Sequence, residues 1–287
     1  MNRYHAAAAA SLTALAALAV REHRRNSQFG CSCYTLDIGP VPLPEPIRIL
    51  QIADLHGRIF GPNNRDLTDM ARVISPDLIV FTGDTVSARC ENLLPTARLL
   101  RELCQIAPAF LIPGNHELRS GRWEELSQGF RNVGVTVLEN ERFDGVFKGV
   151  PVHILGLSEG LAVSRMDYLR EFLGTMRHAD CTQALSELSA CDGVRIVLSH
   201  FPELFAGIGR LSYRNFRFDL MLAGHAHGGQ FRLGRFAVYA PGQGLFPRYT
   251  AGVHHRRPAL IVSRGLGNDS PLPRLNNPPE LVLVTLR

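Results

Sequence analysis

The sequence predicts an α/β protein of four layers (αββα), in which two mixed β-sheets pack together and helices flank them. Short apolar runs alternate with helical patterns in the first half of the domain, which is typical of parallel strands joined by helices. The second half has more strand-like runs and hairpin signals and fewer helical patterns. No break in this pattern divides the 287 residues, so we expect one large domain.

The N-terminal segment 1–28 contains an apolar run, 6–20, rich in alanine and leucine. The run is shorter than the roughly 20 residues of a comfortable transmembrane helix. We interpret it as a transmembrane signal anchor and expect a membrane-associated protein; a cleaved signal peptide and an amphipathic or frayed N-terminus are the alternatives. The apolar run is followed directly by three basic residues, Arg21, Arg24 and Arg25, and positive charge at this position opposes export of the domain. The side of the membrane that the domain faces is left undecided.

Residues 29–46 are predicted to be a proline-rich spacer, because alternate positions from Pro40 to Pro46 are proline and such sequences are extended and semi-rigid. The folded domain is predicted over 47–287. Its first strands are expected at 47–52, 78–81, 110–112, 135–138 and 152–157. Helical patterns lie around 67–74, 93–106 and 123–130, and a polar, partly helical stretch covers 168–188. Later strands are expected at 194–198, 220–222, 236–239, 260–262 and 281–285.

Composition and charge exclude few classes of protein. The net charge of +5 suits an anionic substrate or a membrane surface. No block of basic residues with interleaved aromatic residues is present, so we expect no nucleic-acid partner. The six cysteines fit neither a zinc-ligand spacing nor a small-domain disulfide framework.

Side chains that bind metals follow the predicted strands, each within a few residues of a strand end. Sites in open α/β sheets form at the carboxyl ends of strands, so we expect these side chains to meet in one site. Their types suit Mn²⁺, Fe or Zn²⁺, and the absence of cysteine argues against a closed structural zinc site. We predict a two-metal site built from Asp54, His56, Asp84, Asn115, His200, His225 and His227, with His116 beside it.

These stretches resemble the calcineurin-like metallophosphoesterase superfamily, from Asp54 to His227. The motifs D-x-H (54–56), G-D (83–84), G-N-H-E (114–117), a single His at 200 and G-H-x-H (224–227) are all present. The resemblance implies two divalent ions. The first would be held by Asp54, His56, Asp84 and His227, and the second by Asp84 as the bridge, Asn115, His200 and His225.

The resemblance also implies the activity: a dinuclear phosphoesterase, foremost a phosphodiesterase, that breaks P–O bonds with a metal-bridging hydroxide. It implies that His116 donates a proton or a hydrogen bond to the leaving group, or else supports a neighbouring ligand. Glu117 is expected to orient a histidine. Family Ser/Thr phosphatases carry Val-Asp-Arg-Gly after Gly-Asp. This motif is missing at 85–89, although Arg89 could partly substitute, so a protein phosphatase is disfavoured.

Further strings at 228–230, 241–249, 263–267 and 276–280 resemble a bacterial membrane-anchored subgroup of YkuE- and YaeI-like phosphodiesterases, related to the enzyme that cleaves UDP-2,3-diacylglucosamine. Such Gly- and Pro-rich strings are also ordinary turn chemistry. The loop 245–248 nevertheless combines apolar and cationic groups, which would suit an amphiphilic ligand. The substrate is therefore expected to be a phosphorylated small molecule or, as the alternative, a lipid-linked pyrophosphate. A non-catalytic scaffold is a minor alternative, because no ligand is missing.

Overall fold

A computed structural model describes residues 3–39, 43–160, 178–207, 212–234, 236–270 and 273–287. Two six-stranded mixed sheets form its centre. The first sheet has, in spatial order, β1 (Gly30–Leu36), β16 (Glu280–Leu286), β2 (Ile47–Ile52), β3 (Leu78–Thr82), β4 (Ala109–Ile112) and β5 (Thr136–Val137). The second has β14 (Gly252–Arg256), β15 (Ala259–Val262), β9 (Leu220–Ala223), β8 (Val194–Ser199), β7 (Val150–Gly156) and β6 (Glu141–Phe147).

Helices and two small hairpins complete the described residues. The α-helices are α1 (Arg3–Asn26), α2 (Arg65–Ile74), α3 (Leu94–Cys104), α4 (Asn115–Arg119), α5 (Trp123–Asn132) and α6 (Thr182–Ser189). Short 3₁₀ helices lie at Pro62–Asn64, Pro202–Ala206, Tyr213–Asn215 and His227–Gly229. The first hairpin pairs β10 (Arg232–Leu233) with β11 (Phe236–Ala237), and the second pairs β12 (Tyr239–Ala240) with β13 (Gly244–Leu245). The expected strand 236–239 is thus divided between two hairpins. Of the predicted stretch 168–188, only the part from residue 178 lies among the described residues.

The four-layer arrangement follows from the alternation of side chains along each strand. In β2, Ile47 and Ile49 point inward and pack with Ile154 and other residues of the second sheet. Leu50 and Ile52 point outward and pack under helices α2, α3 and α5. The outer face of the second sheet is covered by α6 and nearby loops. Two mixed sheets flanked by helices are therefore confirmed.

Parallel pairing brings the site-bearing loops together. Strands β2, β3 and β4 are parallel in the first sheet, and β7, β8, β9 and β15 are parallel in the second. Their carboxyl ends therefore meet at a common edge of each sheet, where the connecting loops can contribute ligands to one site.

Part of the predicted spacer is a strand. Residues Gly30–Leu36 pair in parallel with β16 along the outer edge of the first sheet. The sequence Gly-Cys-Ser-Cys-Tyr-Thr-Leu lacks the continuous apolar run of a buried strand, because an edge strand is covered less completely. Residues 40–42, which include two of the spacer's prolines, lie outside the described part of the chain.

The N-terminal segment is helical, but the transmembrane helix expected there is not supported. Among the described residues, no helix is both long enough and apolar enough to cross a membrane. Alanine makes up much of the apolar run in α1, and charged residues follow that run from Arg21 onward. The C-terminal part of α1 contacts the domain: the buried Glu22 accepts a hydrogen bond from the backbone N–H of Asn276 at 2.9 Å.

Candidate metal centre

The structure brings the predicted metal-binding side chains together at the carboxyl ends of five strands. Asp54 and His56 follow β2, Asp84 follows β3, Asn115 and His116 follow β4 at the start of α4, His200 follows β8, and His225 and His227 follow β9. Their potential ligand atoms form two groups, each within 4.8 Å: Asp54, His56, Asp84 and His227 in one, and Asp84, His200 and His225 in the other. Asp84 belongs to both groups.

Asn115 joins the second group through its side-chain oxygen. This Oδ1 atom lies 2.9 Å from Nε2 of His200, and Nδ1 of His225 lies 3.1 Å from the same nitrogen. On the other side of the His200 ring, Nδ1 lies 2.8 Å from the Thr82 carbonyl oxygen. A carbonyl oxygen can only accept, so Nδ1 carries a proton and donates the hydrogen bond. Nε2 of His200 therefore faces the oxygens of Asp84 and Asn115.

The backbone is specialised at these loops. Five of the predicted ligands adopt positive φ values between 45° and 65°: Asp54, His56, Asp84, His225 and His227. This left-handed region is uncommon for residues other than glycine, and its cost is met at functional sites by the surrounding structure. Glycines allow the close packing that these turns need. A Cβ atom at Gly114 would overlap the Asp84 carboxylate, and one at Gly83 would overlap the His200 ring.

Asp84 is the electrostatic centre of the site. Burial opposes ionisation of its carboxyl group, but the neighbouring His200 and His116 outweigh that effect and hold its pKa well below the usual value. Its Oδ2 lies 3.4 Å from Nε2 of His200 and 3.8 Å from Nε2 of His56. Burial also opposes protonation of His200, yet the Asp84 charge outweighs it and raises the pKa of His200 to about 10. A carboxylate that stays ionised between two histidine groups is suited to bridge two cations.

Asp54 provides a test of whether a cation fits. Its Oδ1 accepts the backbone N–H of His225 at 2.9 Å, whereas its buried Oδ2 has no hydrogen-bond partner among the described residues. Burial raises the pKa of Asp54 to about 7. Nearby, Nε2 of His56 and Nε2 of His227 are 3.3 Å apart, and burial lowers the pKa of both rings. Neutral imidazole nitrogens and an unpartnered carboxylate oxygen facing one another are a donor set that fits a divalent cation.

Glu117 does not orient a histidine, contrary to the sequence-based expectation. Its carboxylate accepts three backbone N–H groups, from Asp84 and Val86 at 2.9 Å and from Gly114 at 2.8 Å. Burial, with the nearby Asp84 charge, raises its pKa to about 7. Glu117 therefore joins the loop after β3 to the start of α4 and holds the backbone that carries Asp84.

Three further residues of the site were not predicted. The buried Glu159 accepts the hydroxyl of Ser199 at 2.6 Å and the backbone N–H of His200 at 2.9 Å. Nη2 of the buried Arg274 lies 3.2 Å from Nδ1 of His227. Glu159 lies shortly after the end of β7, in the same position relative to a strand as the predicted ligands. Its position in the sequence could therefore have indicated that it belongs to the site. Arg274 follows no strand and carries no such signal.

Asp269 is the third of these residues, and it lies beside His116. Its Oδ2 is 3.4 Å from Nδ1 of His116, and its Oδ1 accepts the hydroxyl of Ser87 at 2.9 Å. The His116 ring meets the His56 ring edge-on at 4.7 Å between centroids. In addition, the backbone N–H of Ala88 donates to Nδ1 of His116 at 3.3 Å. Nδ1 of His116 therefore faces the loops that carry Ala88 and Asp269.

A cleft of about 700 Å³ opens over the site. Its floor contains Asp84, Asn115, His116, His225 and His227. Its walls contribute two cationic side chains, Arg89 and Arg119, and polar groups from two loops, Gln230, Tyr239, Asn268, Asp269 and Ser270. Cations around a metal-binding floor are complementary to a phosphate ester.

Two packed mixed sheets with this site at the carboxyl ends of their strands define the class: a metal-dependent phosphoester hydrolase. Residues 47–229 match the model of the calcineurin-like phosphoesterase family, and the chain belongs to that family.

Named relatives agree with this assignment. The chain is 29% identical over 262 residues to an uncharacterized metallophosphoesterase of Aquifex aeolicus, covering 88% of this chain and 90% of the relative. It is 28% identical over 248 residues to the phosphodiesterase YaeI of Escherichia coli, covering 84% and 82%. It is also 29% identical over 257 residues to the uncharacterized metallophosphoesterase YkuE of Bacillus subtilis, covering 84% of this chain and 79% of the relative.

Proposed function

We propose that the protein is a phosphodiesterase that works with two divalent metal ions. The observation that carries the proposal is the position of Asp84 in both groups of ligand atoms. Two cations only about 3.5–4 Å apart repel each other, and a shared carboxylate offsets that repulsion. Asp54, His56 and His227 would complete the first set of ligands with Asp84. Asn115, His200 and His225 would complete the second.

Two bound ions would polarise phosphoryl oxygens and activate water near neutral pH. The side chains around them have separate tasks. Glu117 holds the loop that carries Asp84, and Arg89 and Arg119 offer positive charge to the phosphate oxygens in the cleft. His116 would donate a proton or a hydrogen bond to the departing oxygen of the ester.

The choice of a diester as substrate is supported by the name of the relative YaeI, a phosphodiesterase. A lipid-linked pyrophosphate, as in the cleavage of UDP-2,3-diacylglucosamine, is the alternative substrate, and it requires association with a membrane. The nitrogen and oxygen donors without sulfur favour Mn²⁺, Fe or Zn²⁺ as the ions.

The test combines metal analysis with a substrate panel. Purified protein is stripped with a chelator, reloaded separately with Mn²⁺, Fe²⁺ and Zn²⁺, and analysed for metal content. Each form is then assayed on bis(p-nitrophenyl) phosphate, p-nitrophenyl phosphate and UDP-2,3-diacylglucosamine. We expect two ions per chain and faster turnover of the diester than of the monoester. Preference for the UDP-lipid would select the alternative, and two bound ions without turnover of any ester would identify a scaffold.

A further inference from the structure

Four exposed apolar side chains lie on the two small hairpins: Leu233, Phe236, Leu245 and Phe246. We call them the hairpin patch. Their exposed fractions run from 67% for Leu245 to 80% for Phe246. Single exposed apolar residues are ordinary on protein surfaces, but a contiguous group marks an interaction site.

The members of the hairpin patch are neighbours. Leu233 pairs with Phe236 across the first hairpin. The backbone N–H of Phe246 donates to the carbonyl of Val238 at 2.9 Å, which joins the second hairpin to the end of the first. Phe236 and Phe246 also line one depression of about 580 Å³, together with Pro247. Leu233, Phe236 and Phe246 therefore belong to one surface, and Leu245 directly precedes Phe246 in the chain.

Phe246 is unusual in a second respect. Its backbone has φ 53°, a conformation that costs energy for a bulky residue. Most of its side chain is exposed, so burial in the core does not compensate for that cost. A phenylalanine at this position is better explained by a contact outside the domain.

The surrounding charge identifies the kind of contact. None of the described residues that line the depression is an aspartate or a glutamate. Arg248 follows the hairpin patch directly and is exposed, and Arg232 lies at its base beside the same depression. Apolar side chains combined with cations and without acids are complementary to an anionic lipid surface.

The hairpin patch also lies close to the cleft and to the N-terminal helix. Tyr239 pairs with Leu245 across the second hairpin and lines the cleft. The backbone N–H of Arg232 donates to the Leu275 carbonyl at 3.0 Å, and the next residue, Asn276, is the one held by Glu22 of α1. One surface could therefore contact the hairpin patch and the neighbouring helix together.

We propose that the hairpin patch docks the protein on the surface of an anionic lipid bilayer. The leucine and phenylalanine side chains enter the boundary between headgroups and acyl chains, and the arginines contact the headgroups. Docking would place the cleft beside phosphoesters at that surface, a consequence that rests on the proposed function. Attachment to the bilayer itself does not depend on hydrolysis.

The test is co-sedimentation of the full chain with vesicles. Wild type and the double variant Phe236→Ser/Phe246→Asn are compared on phosphatidylcholine vesicles with and without phosphatidylglycerol. Asparagine tolerates the backbone conformation at 246, so the fold is preserved. We expect wild type to bind the mixed vesicles and the double variant to bind them at least about tenfold more weakly, because two large apolar side chains no longer enter the interface. Arg248→Glu should weaken binding to the mixed vesicles as well.

The matched control is Val73→Ser with Val146→Ser, which removes two exposed apolar side chains elsewhere on the surface. This control should bind like wild type. Equal binding by the double variant and wild type would overturn the proposal. So would self-association of wild type that the double variant abolishes, because the hairpin patch would then serve a second copy of the chain. Turnover of bis(p-nitrophenyl) phosphate, measured on the same preparations, should be unchanged; its absence in wild type would count against the proposed function and leave the vesicle result intact.

Discussion

At the residue scale, Asp84 distinguishes a two-metal site from a single-metal site with supporting residues. We expect Asp84→Asn to lose more activity and more metal than Asp54→Asn, because the amide removes the charge shared by both ligand groups. The metal affinity of Asp84→Asn should fall by more than the roughly 10–100-fold typical when only a ligand's outer partner is lost. Metal content and rate are measured for both variants, with the exposed Asp69→Asn as a control for general charge effects. Equal metal content and matched residual rates would contradict the bridging role.

His116 offers a second test, since it lies in the cleft without belonging to either proposed set of ligands. His116→Ala should keep both ions and the fold. Its rate on an alkyl diester should fall by about 10²–10⁴-fold, the usual contribution of general acid catalysis. A nitrophenyl diester should lose much less, because nitrophenolate departs without a proton.

The alkyl and the nitrophenyl diester are assayed on the same preparation of His116→Ala. Differences in metal loading or stability therefore do not affect the comparison of the two rates. Loss of the same size for both leaving groups would reject proton donation. His116 would then act by positioning the neighbouring ligands, which was its alternative role.

The clustering of the proposed ligand residues could be predicted from the sequence because each lies within a few residues of an apolar strand. The few residues around Asp54 or His200 were enough to locate each of them. The residues that contact these histidines and carboxylates from other loops could not be predicted in the same way. Arg274 reaches His227 across 47 positions, and Asp269 reaches His116 from a different loop. Such contacts depend on how separate loops pack together, which local pattern does not encode.

At the element scale, Glu117 connects the loop after β3 with α4. We expect Glu117→Gln to lower the free energy of unfolding by about 1–3 kcal/mol. The side-chain NH₂ group of the glutamine would face a backbone N–H group that in the wild type donates to the carboxylate, and that N–H group would lose its acceptor. The measurement is urea denaturation at neutral pH. Glu125→Gln, on the exposed face of α5, is the matched control and should change stability by much less. A stability equal to that of wild type would mean that the three backbone bonds to Glu117 contribute little.

Strands that are buried on both faces were the elements predicted best. The expected strand 47–52 coincides with β2, and 194–198 lies within β8. Their apolar side chains face the core on both sides, so the pattern is strong. The edge strand β1 was taken as spacer, since its sequence is mixed and its partner β16 lies about 250 residues away. The strand β6 was missed because its side chains are largely exposed or half-buried, so its sequence lacks a continuous apolar run.

At the scale of the whole molecule, the two sheets hold a set of buried polar groups that a cation would satisfy. Asp54, Asp84 and His200 are all buried at the point where loops from both sheets meet. Any ion that binds the folded chain and not the unfolded one stabilises the fold, by about 2.7 kcal/mol per site when the free ion is at 100 times its Kd. The melting temperature should therefore depend on metal concentration.

We accordingly expect chelation to lower the melting temperature of the protein by several degrees and Mn²⁺ to restore it. For a chain of about this size, each 1 kcal/mol corresponds to roughly 2–4 °C. The melting temperature is recorded across a Mn²⁺ titration for wild type and Asp84→Asn, with Ca²⁺ as a comparison ion that prefers oxygen ligands. The variant should respond less to Mn²⁺, because its two groups of ligand atoms have lost their common charge. An equal rise for wild type and variant, or an equal rise with Ca²⁺, would place the stabilising ion outside the histidine-rich site and would separate metal-linked stability from the proposed chemistry.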